Sequence, residues 1–238
     1  MDSWFGVSSE SVFTPFSASH LLMLAIYLLG VALIMQYSGK IARNATLHAV
    51  IHWTLFTLLV LSELSYQYWA VYHGIWSFNS HAPLHLCGIA SLMAIISLLV
   101  PNERIVAFTY FIGFLPAFLA LITPDLPYGP EHFRFWKFFV HHIAISWTSL
   151  FLVIGNKKDI SFKSMIDSYL YLIVYALIVG LFVNPLSDSN YLYLSGRSNA
   201  YTLLHLFGEG IWYYINLGLT ALLSFLLLYF LAKTWRSS

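Results

Sequence analysis

Residues 18–37 read ASHLLMLAIYLLGVALIMQY, a run without Asp, Glu, Lys or Arg. A run of about 20 apolar residues is long enough to cross the hydrocarbon core of a bilayer as a helix. Six further apolar runs follow. The seven predicted spans cover residues 18–37, 45–72, 83–100, 105–123, 135–154, 165–183 and 203–232. The sequence therefore predicts an all-α, polytopic membrane bundle of seven transmembrane helices.

The composition of the chain supports this prediction. Of its 238 residues, 59% are hydrophobic and 9% are charged, whereas roughly 25% are charged in ordinary soluble domains. So few charges could not cover the surface of a soluble globule. The high hydrophobicity and the net charge of +1 also exclude a disordered chain and a basic nucleic-acid-binding protein. We expect a multi-pass protein of the cell membrane that has no nucleic-acid partner.

The loops between the predicted spans are short, so we expect one transmembrane domain over residues 1–238, with residues 1–17 as an interfacial segment. Lys and Arg near span ends favour the cytoplasmic side. One side of the predicted bundle carries Lys40, Arg43, Arg104, Lys157, Lys158, Lys163, Lys233 and Arg236, and the other carries Arg134, Lys137 and Arg197. This asymmetry predicts that the N-terminus is outside and the C-terminus is cytoplasmic.

Ionisable residues inside membrane helices are costly and therefore indicate function. The predicted spans and rims place several chemically capable groups towards the outer leaflet. These are Glu63, Tyr66, His85, Cys87, Asp125, His141, His142 and Glu209. One layer of the membrane could therefore hold a thiol, imidazoles and carboxylates.

A cysteine acts as a nucleophile when a base or a positive environment favours its thiolate. Cys87 lies near the outward N-terminus of the third predicted span, where the helix dipole favours negative charge. His141 and His142 point about 100° apart on a helix, so only one of them can serve as its base. Asp125, Glu209 or Glu63 could orient that imidazole, as in other Cys/His sites. This combination suits acyl transfer through a thioester.

Other interpretations of these residues stay open. Cys87 could be a small packing residue, and Glu63 could be a protonated group that bonds two helices. A transporter or receptor-like bundle could use Glu63, His142 and Glu209 to line a solute or proton pathway. Thiolate, imidazole and carboxylate also suit zinc or iron, but the sequence has no dense metal-binding motif. We therefore expect no metal and no cofactor.

Four motifs carry a resemblance to a known family. They are Pro83-Leu84-His85-Leu86-Cys87, Pro124-Asp125-Leu126, His141-His142 and Asn190-Tyr191-Leu192-Tyr193-Leu194. In their order and span positions they resemble the bacterial YwaF-type integral membrane proteins. That group is similar to the eukaryotic transmembrane protein 164 acyltransferases and, more distantly, to the androgen-induced family of lipid hydrolases.

The resemblance implies a multi-helix enzyme with a catalytic cysteine and a catalytic histidine that acts on phospholipid acyl chains. Cys87 takes the position of the nucleophile, and His142, or else His141, takes that of the base. We expect a membrane phospholipid or lysophospholipid as substrate. The residues expected to contact it are His85, Glu63, Tyr66, Asn190 and Tyr191. The last outer loop departs from the family pattern at Arg197, and the sequence leaves open the choice between transfer and hydrolysis and the oligomeric state.

Overall fold

The computed structural model describes residues 4–9, 11–100, 102–156, 158–196 and 203–237. Within these ranges the chain is helical and has no β-strand. The helices are α1 (Ala18–Gln36), α2 (Ser38–Arg43), α3 (Ala45–Tyr72), α4 (Phe78–His81), α5 (Leu86–Leu99), α6 (Glu103–Ile122), α7 (Phe133–Leu150), α8 (Phe162–Ile178), α9 (Asn184–Ser187) and α10 (Ile211–Ser237). Turns of π-helix extend α7 over Phe151–Gly155 and α8 over Val179–Val183, and 3-10 turns form at Tyr191–Tyr193 and Leu203–Phe207.

Six of these helical segments are long and apolar enough to cross a membrane. They cover Ala18–Gln36, Ala45–Tyr72, Glu103–Ile122, Phe133–Gly155, Phe162–Ser187 and Ile211–Trp235, and α5 is a seventh, shorter apolar helix. The prediction of an all-helical, multi-pass membrane bundle is confirmed. The direction in which the bundle crosses the membrane stays a prediction, and Lys157 and Arg197 of the charge tally lie outside the described residues.

Polar residues at the helix starts explain where several spans begin. The side-chain oxygen of Ser17 accepts a hydrogen bond from the His20 amide at the start of α1. Asn44 and Asn102 do the same at the starts of α3 and α6. Such caps satisfy amide groups that have no partner inside the helix, and unsatisfied amides are especially costly next to lipid.

Two spans begin later than the sequence predicts. The third begins at Leu86 rather than at Pro83, because His85 still has an extended backbone with φ −66° and ψ 159°. The long helix of the last span begins at Ile211, because Gly208 and Gly210 adopt positive φ values of 79° and 58°, which a continuous helix does not allow. The first correction moves Cys87 to the start of its helix, and the second leaves Glu209 outside the last helix.

α7 lies at the centre of the bundle. In the most apolar 18-residue stretch of this helix, 78% of the residues are buried. The corresponding share is 22% or less in α1, α3, α8 and α10. Those outer helices expose large apolar side chains such as Leu28, Leu29 and Leu181. This distribution is expected where lipid covers the outer surface and the central helix contacts only protein. Most polar side chains on α7 therefore lie inside the protein.

α1 and α7 approach each other closely at Gly30. The Trp147 indole lies against Gly30 and donates a hydrogen bond of 3.1 Å to the Tyr27 carbonyl oxygen. One turn away, the Tyr27 hydroxyl is 3.0 Å from Ser146 Oγ. Small residues at such crossings allow helix backbones to pack closely in membranes.

A methyl group at position 30 should disturb this crossing. The Cβ atom of Gly30→Ala would overlap Trp147 Cζ2, so the indole or the whole helix must shift. Overpacking of this kind costs about 1–3 kcal/mol, and the midpoint of thermal unfolding in detergent should fall by several degrees. Gly39→Ala is the matched control, because its Cβ would meet only the Arg43 side chain at 3.6 Å. Equal midpoints for the two variants would show that the crossing tolerates the methyl group.

Candidate functional site

The ammonium group of Lys137 on α7 lies at the centre of a group of polar side chains. Its Nζ atom is 3.9 Å from Oε2 of Glu63 on α3, and both side chains are only 13% to 15% exposed. The Lys137 charge also acts electrostatically on Cys87, His141 and His142. We call these five residues the Lys137 cluster. It joins α3, α5 and α7 at the end of the bundle that the charge tally predicts to be external.

Glu63 is fixed by side chains on its own helix and on the loop beyond it. Gln67, one turn further along α3, donates a hydrogen bond of 2.7 Å to Glu63 Oε1 and another of 2.9 Å to the His81 carbonyl oxygen. Trp76 in turn donates from its indole nitrogen to Gln67 Oε1 over 2.7 Å. The glutamate therefore keeps one oxygen on Gln67 and presents the other to Lys137 and His141.

The two neighbouring histidines have different surroundings. His141 Nδ1 is 2.8 Å from Ser62 Oγ, and its Nε2 is 4.0 Å from Glu63 Oε2. His142 Nδ1 is 2.8 Å from the Phe138 carbonyl oxygen. A carbonyl oxygen can only accept, so His142 must carry its proton on Nδ1, and in the neutral ring Nε2 has the free lone pair. Among the described residues, His142 Nε2 has no hydrogen-bond partner.

Cys87 is the second residue of α5 and is half-buried. The turn before it is tight, because a Cβ atom on Gly88 would lie 2.5 Å from the Pro83 carbonyl oxygen. The predicted position at a helix N-terminus is therefore right, although the helix begins three residues later than predicted. Among the described residues, no hydrogen bond joins the Cys87 thiol to His141 or His142.

His85 and Asp125 belong to a second group beside the first. His85 immediately precedes α5, and its ring centroid is 5.1 Å from that of Tyr191 and 5.2 Å from that of Tyr193. The Tyr193 hydroxyl donates a hydrogen bond of 3.0 Å to Asp125 Oδ2, and the Asp125 charge also acts on His85. These contacts link Asp125 to His85, whereas the sequence analysis predicts that Asp125 orients the catalytic base, His141 or His142. Its predicted orienting role stays a prediction.

Asn184 and Asn190 hold the loop that carries the two tyrosines. Asn184 binds both the amide and the carbonyl group of Tyr191 at 3.0 Å, and the Tyr191 hydroxyl donates to the Phe78 carbonyl oxygen. Asn190 accepts from the amides of Ser195 and Gly196 at 2.9 and 3.0 Å. Asn190 thus closes a turn of the loop, and its predicted contact with substrate remains untested.

Glu209 differs most from its predicted location. It lies in the break between the 3-10 turn Leu203–Phe207 and α10, between Gly208 and Gly210, and its side chain is exposed. The prediction that Glu209 lies inside a membrane helix is wrong, because the two glycines interrupt that helix. Together with Ser195, Tyr213 and Tyr214 it lines a cavity of about 310 Å³ at the bundle end.

The chain segment before α1 lies across the ends of α3 and α7. Its carbonyl groups at Phe5 and Gly6 accept hydrogen bonds from Trp69, from His73 over 2.6 Å, and from His132 over 2.9 Å. Burial lowers the pKa of His132, the bond to Gly6 opposes this change, and the charge of Arg134 adds to it. His132 therefore stays neutral and can both accept from the Arg134 amide and donate to Gly6.

Sequence reasoning missed Lys137 as a site residue, because it counted that residue only as evidence for topology. A signal was present, since Lys137 and His141 are four residues apart and therefore share one face of a helix. Ser62 has no comparable signal, because its contact with His141 depends on how α3 packs against α7. In the described part of the chain, no group of three or more His, Cys, Asp or Glu side chains is arranged to hold a metal ion.

The fold and the buried polar cluster define a polytopic helical membrane protein with an ionisable site at one end of its bundle. The chain belongs to the TMEM164 family, whose family model matches residues 15–229. Comparison with curated proteins and with solved structures gives no match.

The pairing of Glu63 with Lys137 should contribute to stability. Glu63→Gln removes the counter-charge of a buried ammonium group and should lower the thermal midpoint in detergent, because an unpaired buried charge is costly. Adding Lys137→Met should restore part of the loss. We expect a coupling free energy of about 1 kcal/mol or more in the double-mutant cycle. Additive effects of the two substitutions would contradict the pairing.

Proposed function

We propose that this protein is a cell-membrane enzyme that transfers or hydrolyses phospholipid acyl groups, with Cys87 as the nucleophile. The observation that carries the proposal is the location of the chain's single cysteine. Cys87 lies at the N-terminus of α5, and the Lys137 ammonium is near enough for their charges to interact. The resemblance of the Cys87 and His141-His142 motifs to acyltransferases of the matched family supports the same chemistry.

In the first step, the Cys87 thiol attacks the carbonyl carbon of a phospholipid ester. The thiol proton goes to His142 Nε2 as the bond between sulfur and carbon forms. Burial opposes a free thiolate, so proton removal must accompany the attack. Collapse of the tetrahedral intermediate breaks the ester C–O bond, and the leaving alkoxide takes the proton from His142. The products of this step are an acyl-thioester on Cys87 and a lysophospholipid.

In the second step, a hydroxyl group attacks the thioester. His142 accepts the proton of that hydroxyl and returns it to the cysteine sulfur as the thioester breaks. A lysophospholipid hydroxyl gives acyl transfer, and a water molecule gives hydrolysis. Both outcomes regenerate the starting enzyme.

The other members of the Lys137 cluster prepare this chemistry. The ammonium of Lys137 stabilises negative charge on sulfur, and Glu63 holds that ammonium in place. The tautomer of His142 is set by Phe138, which leaves Nε2 as the proton acceptor. We assign the base to His142, and a supporting role on the α3 side to His141. We further propose that His85, Tyr66 and Tyr191 contact the lipid. Orientation of the base by Asp125 or Glu209, and contact of Asn190 with the lipid, are proposals that the described contacts support less.

The transport alternative has less support. It requires Glu63, His142 and Glu209 to line one pathway through the bundle. Glu63 and His142 both lie in the Lys137 cluster, but Glu209 is exposed in the break before α10. We therefore prefer acyl transfer. Proton-coupled uptake into proteoliposomes that Glu63→Gln abolishes would favour transport instead.

Replacement of Cys87 should abolish turnover. We expect purified Cys87→Ala protein to keep a thermal midpoint close to that of the wild type, because the change removes a single heavy atom, and to release no product from acyl-labelled phospholipid. Product formation is measured by thin-layer chromatography of the labelled lipids. Undiminished turnover in a folded Cys87→Ala protein would contradict the proposal.

Replacement of His142 and replacement of His141 should have different effects, one on the acylation rate and the other on stability. His142→Gln should lower the rate of acylation by about 10²-fold or more, since general-base catalysis contributes about that much. His141→Gln should mainly lower the thermal midpoint, because it breaks the contact with Ser62 between α7 and α3. His48→Gln is the control, since His48 bonds Asn156 at the opposite end of the bundle. Rapid acylation by His142→Gln protein would remove His142 as the base.

A further inference from the structure

Arg134 on α7 lies among three aromatic rings. Its guanidinium carbon is 4.4 Å from the ring centroid of Tyr66, 4.7 Å from that of Trp69 and 5.3 Å from that of Tyr128. Lys137 lies over the same Tyr66 ring at 4.5 Å. Cation–π contacts of this kind hold a cation in position without neutralising its charge. The two cations therefore form one positive patch, which we call the Arg134–Lys137 patch.

The charge of this patch is only partly compensated. Lys137 has Glu63 as its partner, and in the described part of the chain no carboxylate forms an ion pair with Arg134. The Arg134 guanidinium also forms a hydrogen bond to the Tyr66 side chain, which uses only part of its five N–H donors, and the residue is half-buried. The patch thus keeps an excess positive charge and unused N–H donors. This arrangement is suited to an anion with several oxygen atoms.

The position of the patch along α7 suits contact with a lipid phosphate. Arg134 is the second residue of α7, where the membrane-crossing stretch begins, and Cys87 is the second residue of α5. Both helices start at the same end of the bundle, so the guanidinium and the thiol lie near one membrane surface. Lipid phosphates lie at this boundary, just outside the hydrocarbon core. Lys137 lies one turn further along α7, and its charge acts electrostatically on Cys87.

We infer that Arg134, with Lys137 behind it, binds the phosphate group of a glycerophospholipid. A guanidinium group can donate two parallel hydrogen bonds to a phosphate, and the three aromatic rings fix its position. In a glycerophospholipid only the glycerol backbone separates the phosphate from the ester carbonyls. A phosphate held at Arg134 therefore brings an ester group towards Cys87. This inference rests on the proposed function and assigns the residues that bind the phosphate of its substrate.

The test measures binding without turnover, so it does not depend on the proposed reaction. Cys87→Ala protein in a neutral maltoside detergent is titrated with oleoyl lysophosphatidic acid and, separately, with monooleoylglycerol, which has the same chain and no phosphate. We expect the phosphorylated lipid to bind about tenfold or more tightly, because charge-assisted hydrogen bonds to phosphate are strong. Adding Arg134→Gln should remove this preference and leave the affinity for monooleoylglycerol unchanged.

Two further variants make the result specific to Arg134. Arg134→Lys keeps the charge but loses the planar pair of donors, so it should keep only part of the preference. Arg43→Gln makes the same chemical change at an exposed site on α2 and should leave both affinities unchanged. The readout is the ratio of the two affinities within one variant, and that ratio does not depend on how much of the sample is folded.

Equal binding of the two lipids, or a preference that survives Arg134→Gln, would overturn the inference. A third titration with inorganic phosphate separates lipid from free anion. Displacement of the lipid by inorganic phosphate at comparable concentration would assign the patch to free phosphate and also overturn the lipid assignment. The proposed function has its own test in turnover by Cys87, so a failure of one is distinguishable from a failure of the other.

Discussion

Lys137 carries a positive charge into the most buried helix of a nearly uncharged bundle, and such a charge is costly unless a counter-charge lies beside it. Glu63 supplies that counter-charge from α3 at 3.9 Å. The pairing joins α3 to α7, and His141 lies beside the same glutamate at 4.0 Å. Two further groups are linked to this contact, since Gln67 orients the glutamate and the charge of the same ammonium acts on Cys87 on α5.

The polar groups at this end of the bundle are arranged in order of depth. Arg134 lies at the start of α7, beside its aromatic neighbours, and Lys137, His141 and His142 follow on α7 over the next two turns. A lipid that enters from the membrane with its phosphate at the surface would present its ester groups below that surface. The proposed order of contacts, first the phosphate at Arg134 and then the ester at Cys87, matches this geometry. The loop that carries Tyr191 and Tyr193 lies beside it at His85.

The sequence predicts the spans well, because about 20 consecutive apolar residues have few stable alternatives to a membrane helix. It misplaces Glu209, because hydropathy averages over the two glycines that break the last span. It also assigns Lys137 and Arg134 to topology alone, although the structure turns both towards the aromatic and acidic side chains of α3. Packing between helices is not encoded in the period of a single helix, so contacts such as Ser62 to His141 could not be predicted.

The identity of Cys87 as a nucleophile is tested most directly by the covalent intermediate. Wild-type protein is mixed with phospholipid, quenched with acid within the first turnover, digested, and analysed by mass spectrometry. The predicted result is an acyl group on Cys87 that neutral hydroxylamine removes, because thioesters react with that reagent more readily than oxygen esters do. An unmodified Cys87 in protein that is converting phospholipid, or an acyl group on another residue, would contradict the assignment.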